Sequence, residues 1–272
     1  MKLVAFDIDG TLVGRDGRIS ARVREAIAKM QAAGVAGMLV TGRMYRASVG
    51  FARELNFDAP IVCYQGAAIL DPSTDTVLRD LPLPSVVARA IAARAKAAGL
   101  YVQLYRNDAY YSEVSNRFSA MYAQLAGVEP VIVDSLEETF AFSDATKAVI
   151  IADDAEAAAF AQSLSEDLQG QAYVTRSYPE FVECLNPTVD KGAALRFVAE
   201  RLGVPMDQVL AIGDSWNDAP LLRAAGLGVA MGSAPDELLA VAKAVVGTLE
   251  EDGVAEAIEC YVLGDKALQR ER

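Results

Sequence analysis

Leu3-Val4-Ala5-Phe6-Asp7-Ile8-Asp9-Gly10-Thr11 carries four apolar residues straight into two carboxylates and a glycine. A short apolar run of this kind reads as a buried strand. Asp7 and the residues after it then lie at the strand's carboxyl end, where open parallel sheets bind their ligands. An ionised Asp needs no base to act as a nucleophile. Gly10 lets backbone approach a phosphate closely and turns an amide toward a non-bridging oxygen. The same residues also suit an ordinary turn, because Asp and Gly are common in loops. A calcium loop starting at Asp7 would need an acidic residue at its twelfth position. That position is Arg18, which excludes it.

Outward from this stretch, short apolar runs alternate with helical patterns. Ser20–Ala33 reads as a helix with Ser20 as N-cap, Val23, Ile27 and Met30 on one face, and Gly34 as its stop. Val35–Val40 is the next strand, Tyr45–Leu55 a helix and Ile61–Tyr64 a third strand. Towards the other end come a helix at Lys191–Leu202, a strand at Val209–Ile212, a helix at Asp218–Ala225, and strands at Gly228–Met231 and Ala244–Val246. This alternation predicts an α/β fold with a doubly wound, mostly parallel sheet. Residues 83–186 read differently, with paired strands at Tyr101–Tyr105 and Ala109–Ser112 joined by Asn107-Asp108, and further strands and helices beyond. They predict an inserted α+β domain, leaving a discontinuous core of residues 1–82 and 187–272. Pro82-Leu83-Pro84 and Asn186-Pro187 mark the crossings.

Composition removes whole classes of function. The 272-residue chain has no histidine, so Ser-His-Asp and Cys-His catalysis are absent and most zinc sites with them. Its formal net charge of −12 argues against a nucleic-acid partner, which needs Lys or Arg at each phosphate contact. A small anionic substrate remains compatible, since a few local cations can hold it. Cys63, Cys184 and Cys260 show no metal-ligand spacing and read as free thiols. No apolar stretch approaches the roughly 20 residues that span a bilayer. Asp7 arrives too early for a signal peptide's apolar region, so a soluble cytoplasmic protein with no membrane partner is expected.

Three more clusters come after strands or open helices. Thr41-Gly42-Arg43 can offer a hydroxyl and a backbone amide to one phosphoryl oxygen, although Thr41 also suits a helix cap. Lys191 opens a helix, where the dipole disfavours a cation unless a phosphate or carboxylate sits beside it; a surface Lys is the plain alternative. Gly213-Asp214-Ser215-Trp216-Asn217-Asp218 presents oxygen ligands suited to magnesium, with Asp218 equally able to cap the next helix.

Taken together, Asp7-Ile8-Asp9-Gly10-Thr11, Thr41, Lys191 and Gly213-Asp214-x-x-Asn217-Asp218 resemble the four motifs of the haloacid dehalogenase superfamily. The long insert is similar to the type IIB cap of its Cof-like phosphatases, and Gln65-Gly66-Ala67 departs from their more usual Asn-Gly-Ala. The resemblance implies a Mg²⁺-dependent phosphatase in which Asp7 attacks phosphorus and Asp9 serves first as acid, then as base. It implies metal ligands at Asp7, Asp9 (through its carbonyl) and Asp214, with Asp218 supporting. It implies phosphate contacts at Gly10, Thr41, Gly42, Lys191 and Asn217. Substrates would be small phosphorylated metabolites: sugar phosphates first, then flavin mononucleotide or pyridoxal phosphate. A phosphomutase or a non-catalytic phospho-ligand sensor shares the motifs. In the insert, Tyr105, Arg106, Tyr110, Tyr111, Arg117, Arg176 and Tyr178 are candidate selectors, with ordinary packing as the alternative.

Overall fold

The computed structural model describes residues 1–14 and 16–265. In chain order its strands are β1 Leu3–Phe6, β2 Ala36–Leu39, β3 Ile61–Cys63, β4 Ala68–Leu70, β5 Val77–Asp80, β6 Tyr101–Arg106, β7 Ala109–Ser112, β8 Val131–Ile132, β9 Ala148–Ile151, β10 Tyr173–Tyr178, β11 Phe181–Leu185, β12 Val209–Gly213, β13 Leu227–Ala230 and β14 Ala244–Val245. The chain divides into two compact units. One holds Met1–Thr41, Ser48–Leu78 and the chain from Asp190 onward; the other holds Gly42–Ala47 and Arg79–Val189.

The first unit is built on a five-stranded sheet in the order β14-β13-β12-β1-β2, with every pair parallel. β1 is fully buried and apolar at every position, as a central parallel strand covered on both faces must be. Its register pairs Phe6 with Ile212 on one side and Leu39 on the other. The carboxyl ends of β12, β1 and β2 therefore lie side by side. Helix Ala21–Ala32 starts where Ser20 accepts a hydrogen bond from the Val23 amide, and it buries Val23, Ala26, Ile27 and Met30. Helix Lys191–Arg201 adds Leu195 and Val198 to a core with Leu3, Met38, Val40 and Ala211.

Two local expectations change. The helix expected over Tyr45–Leu55 breaks into a 3₁₀ turn at Tyr45–Ala47 and an α-helix at Val49–Glu54. The break falls where the chain passes from one unit to the other, so no single apolar face serves the whole stretch. The sequence also concealed the small sheet β3-β4-β5, whose first pair is antiparallel with Ile61 opposite Leu70. Its tight connection places Tyr64 and Gln65 at φ 51° and 60°, a conformation that neither residue type announces.

In the second unit a six-stranded sheet runs β10-β11-β9-β6-β7-β8. Its pairs are antiparallel except the edge pair β7–β8. Asn107 and Asp108 both take positive φ, the geometry of a tight hairpin turn between β6 and β7. Leu104, Ile150 and Val182 on the sheet pack with Ile91 and Leu164 from helices Ser85–Ala97 and Asp154–Asp167. Among the described residues, no helix is long and apolar enough to cross a membrane.

Candidate active site

The adjacency of β1 and β12 brings together carboxylates some two hundred residues apart. Asp7 follows β1, and its amide donates to the Ile212 carbonyl at 3.0 Å. Asp214 follows β12. Oxygens of Asp7, Asp214 and Asp218 can all lie within 4.8 Å of one another, so these three form a group able to hold a metal ion. The donor set is purely carboxylate, which suits a hard divalent cation. Asp9 stands outside this three-carboxylate group.

Each member of the group is held by a different device. The Lys191 ammonium, fully buried, bonds both Asp7 Oδ1 and Asp218 Oδ1 at 2.6 Å. The cation that looked misplaced at a helix start thus has carboxylates on two sides. Asp218 spends its other oxygen on the amides of Asp214 and Ser215, at 3.0 and 3.1 Å. It therefore braces the loop, and its side chain does not cap the helix Ala219–Ala224. Both oxygens of Asp218 are thus engaged. Thr11 donates from Oγ1 to Asp214 Oδ1 at 2.8 Å. At Gly10, φ is +77° and a Cβ would overlap the Asp214 carboxylate, so only glycine fits the approach. The Gly10 amide itself donates to the Val13 carbonyl at 2.9 Å, inside the turn.

The remaining expected residues fall in two groups. Thr41 is buried; its amide donates to the Val62 carbonyl and its carbonyl accepts from the Gln65 amide, both at 2.9 Å. Asn217 is buried beside Gln65, and its Nδ2 donates to Gln65 Oε1 at 3.0 Å. Gly42, next in the chain after Thr41, belongs to the second unit, where its carbonyl accepts from Lys147 Nζ at 2.9 Å. Two contacts could not be read from the sequence. The Thr11 hydroxyl lies inside a recognisable motif, but its partner is not legible there. Gln65 carries a signal, its departure from Asn, although nothing in the sequence points to Asn217.

Several candidate selectors in the second unit are engaged within that unit. Tyr105 and Tyr110 are fully buried and stacked at 5.7 Å, with Tyr122 edge-on to Tyr110 at 5.0 Å. The Tyr110 hydroxyl donates to the Val128 carbonyl. Arg106 lies over the Phe140 ring at 4.7 Å, Arg117 pairs with Asp153, and Arg176 pairs with Asp154. These rings fill a sheet face whose alternation the sequence could not assign to core or solvent.

Electrostatics gives the carboxylate cluster its character. Burial pushes the Asp7 carboxyl well above its ordinary value; Lys191 opposes the shift, while Asp218, Asp214 and Asp9 add to it. Burial and the charge of Asp218 raise Asp214 from 3.8 to about 7, against Thr11 and Lys191. Lys191 goes up despite its burial, because Asp218 and Asp7 hold its proton. One ammonium faces several carboxylates, and the surplus negative charge favours a proton or a cation.

Comparisons with known proteins agree on one family. A family model described as haloacid dehalogenase-like hydrolase matches residues 4–258. A 5-amino-6-(5-phospho-D-ribitylamino)uracil phosphatase of Bacillus subtilis is 30% identical, over 97% of this chain and 96% of its own. The pyridoxal phosphate phosphatase of Escherichia coli is 29% identical, over 96% of this chain and 99% of its own. A crystal structure of a haloacid dehalogenase-like hydrolase from Bacteroides thetaiotaomicron superposes with a TM-score of 0.82 at 31% identity, covering 95% of this chain and 98% of that one.

Proposed function

The chain belongs to the haloacid dehalogenase-like hydrolase family, the two relatives described above are named phosphatases, and from that premise we propose that it is a Mg²⁺-dependent phosphatase of small phosphorylated metabolites acting through an aspartyl-phosphate on Asp7. The observation that carries this reading is the carboxylate group of buried Asp7 and Asp218 with half-buried Asp214, in which one ammonium pairs with Asp7 and Asp218. Such a group is costly to bury unless a cation answers it. Mg²⁺ held by Asp7, the Asp9 carbonyl and Asp214 would neutralise charge on the phosphoryl oxygens.

The protein's own residues divide the remaining work. Asp7 attacks phosphorus in line while the bond to the leaving oxygen breaks, and the Asp9 carboxyl gives its proton to that oxygen. Asp9, now a carboxylate, takes a proton from water as the water attacks phosphorus. The bond to Asp7 then breaks and inorganic phosphate is released. Lys191, tied to Asp7 in the structure, supplies positive charge beside the reacting group. Thr41, Gly42 and Asn217 give donors to the phosphoryl oxygens, and Gly10 keeps the turn close to Asp214. We assign residues 1–82 and 187–272 to the catalytic core and 83–186 to a cap that chooses the substrate. Pyridoxal phosphate and 5-amino-6-(5-phospho-D-ribitylamino)uracil, the compounds in those relatives' names, join sugar phosphates and flavin mononucleotide in the panel to try, with p-nitrophenyl phosphate as a minimal substrate.

The test is phosphate release across that panel with Mg²⁺ and with EDTA. Metal-dependent release, lost in Asp7→Asn with the fold intact by circular dichroism, is expected. Release that is indifferent to EDTA, or that survives Asp7→Asn, overturns the mechanism. A phosphate moved to another hydroxyl of the same sugar would mark a mutase instead.

A further inference from the structure

Gln65 occupies left-handed backbone, φ 60° and ψ 13°, which a side chain of its type rarely keeps without cause. It is 1% exposed, and its amide N–H donates to the Thr41 carbonyl at 2.9 Å. Its Oε1 accepts from Asn217 Nδ2 at 3.0 Å. Asn217 is also buried, at 6% exposure, yet its Oδ1 finds no hydrogen-bond partner among the described residues. One end of the Asn217 amide is thus engaged by Gln65 and the other is an orphan acceptor.

A side-chain amide is an acceptor at one end and a donor at the other, with nearly the same shape either way round. Because residue 65 is itself an amide, both groups can turn by half a rotation and keep their mutual bond. Gln65 Nε2 then donates to Asn217 Oδ1, and Asn217 Nδ2 takes the place of the orphan acceptor. The first arrangement offers an oxygen, which repels a phosphoryl oxygen. The second offers an N–H, which binds one.

We infer that Gln65 is a positioning residue of the phosphate site: it sets which end of Asn217 is presented, and the two amides turn together when a phosphoryl group binds. The inference rests on Asn217 lying in the phosphate site under the proposed function and goes beyond it in assigning Gln65.

The test is a double-mutant cycle read by calorimetry of inorganic phosphate binding in the presence of Mg²⁺. Gln65→Met keeps the length of the side chain and removes the bond. It should weaken phosphate binding about tenfold in the parent background, the scale of one hydrogen bond to a charged group, and less than about twofold in Asn217→Ala. Gln65→Asn, an amide at ease in left-handed backbone, should restore most of the affinity. A full loss that persists in Asn217→Ala, or an unchanged affinity in Gln65→Met, overturns the inference. Should Gln65→Met fail to fold, Gln65→Glu replaces it; its added charge is common to both backgrounds and cancels in the cycle. Release of phosphate from p-nitrophenyl phosphate is measured alongside. Turnover without coupling removes the role of Gln65 and leaves the phosphatase, whereas coupling without turnover does the reverse.

Discussion

At the scale of single residues the site is a crowd of carboxylates around one lysine, and its protonation sets both stability and metal affinity. The Asp214 carboxyl lies at about 7 in the metal-free fold against 3.8 ordinarily. A raised folded value means that this group's contribution is fully present below pH 4 and lost as the pH rises through 7. The metal-free protein should therefore melt at a lower temperature at pH 8 than at pH 6. Mg²⁺, by replacing the proton, should raise the melting temperature more at pH 8 than at pH 6, and calorimetry should show protons released on binding. Equal shifts at both pH values would count against Asp214 as the group that exchanges proton for metal. Much at this scale was legible, because Asp7, Asp9, Asp214 and Asp218 come after short apolar runs that read as buried strands. Lys191 was legible only as an electrostatic oddity. The grip of Thr11 on Asp214 and of Gln65 on Asn217 was hidden, since hydrogen bonds across 203 and 152 positions leave no local trace.

Among the elements, the second unit's sheet is fastened from within by an ion pair. Lys147 Nζ meets Glu183 Oε2 at 2.6 Å with both side chains almost wholly buried, and the same nitrogen donates to the Gly42 carbonyl. Lys147→Met should remove the buried counter-charge of Glu183, costing about 3–5 kcal/mol. The double change Lys147→Met with Glu183→Gln should cost less than Lys147→Met alone in chemical denaturation. A single change below about 1 kcal/mol would show that the pair is solvated and expendable. Periodicity gave the helices Ala21–Ala32 and Lys191–Arg201 to within a residue, because each has one apolar face against one core. It failed at Tyr45–Glu54 for the converse reason: the segment serves two packing units, and the break at Ser48 answers to tertiary contacts. The short strands β4 and β5 were missed because three or four residues carry too little alternation to register.

For the whole molecule, the formal net charge of −12 acts on an anionic substrate before any contact is made. Repulsion of this kind is screened by salt, with a Debye length of about 10 Å at 0.1 M ionic strength. kcat/KM for p-nitrophenyl phosphate at saturating Mg²⁺ should then rise, by about twofold, between low and physiological ionic strength. A fall would mean that local positive charge at the site outweighs the global field.

The position of β1 has a further consequence, in time rather than in space. Strand β1 lies inside its sheet, yet one of its two partners, β12, begins only with Val209, opposite Leu3. At ordinary synthesis rates that interval is about 10–40 s, and the tunnel of the ribosome lengthens it. Through all of it, one edge of Leu3–Phe6 has no neighbour and its apolar side chains have only part of their cover. The whole of Arg79–Val189 is complete before β12 is made and can fold meanwhile as a unit of its own. Strand β1 therefore waits on β12 for its second neighbour, and its sheet closes only after the whole of Arg79–Val189 has been made.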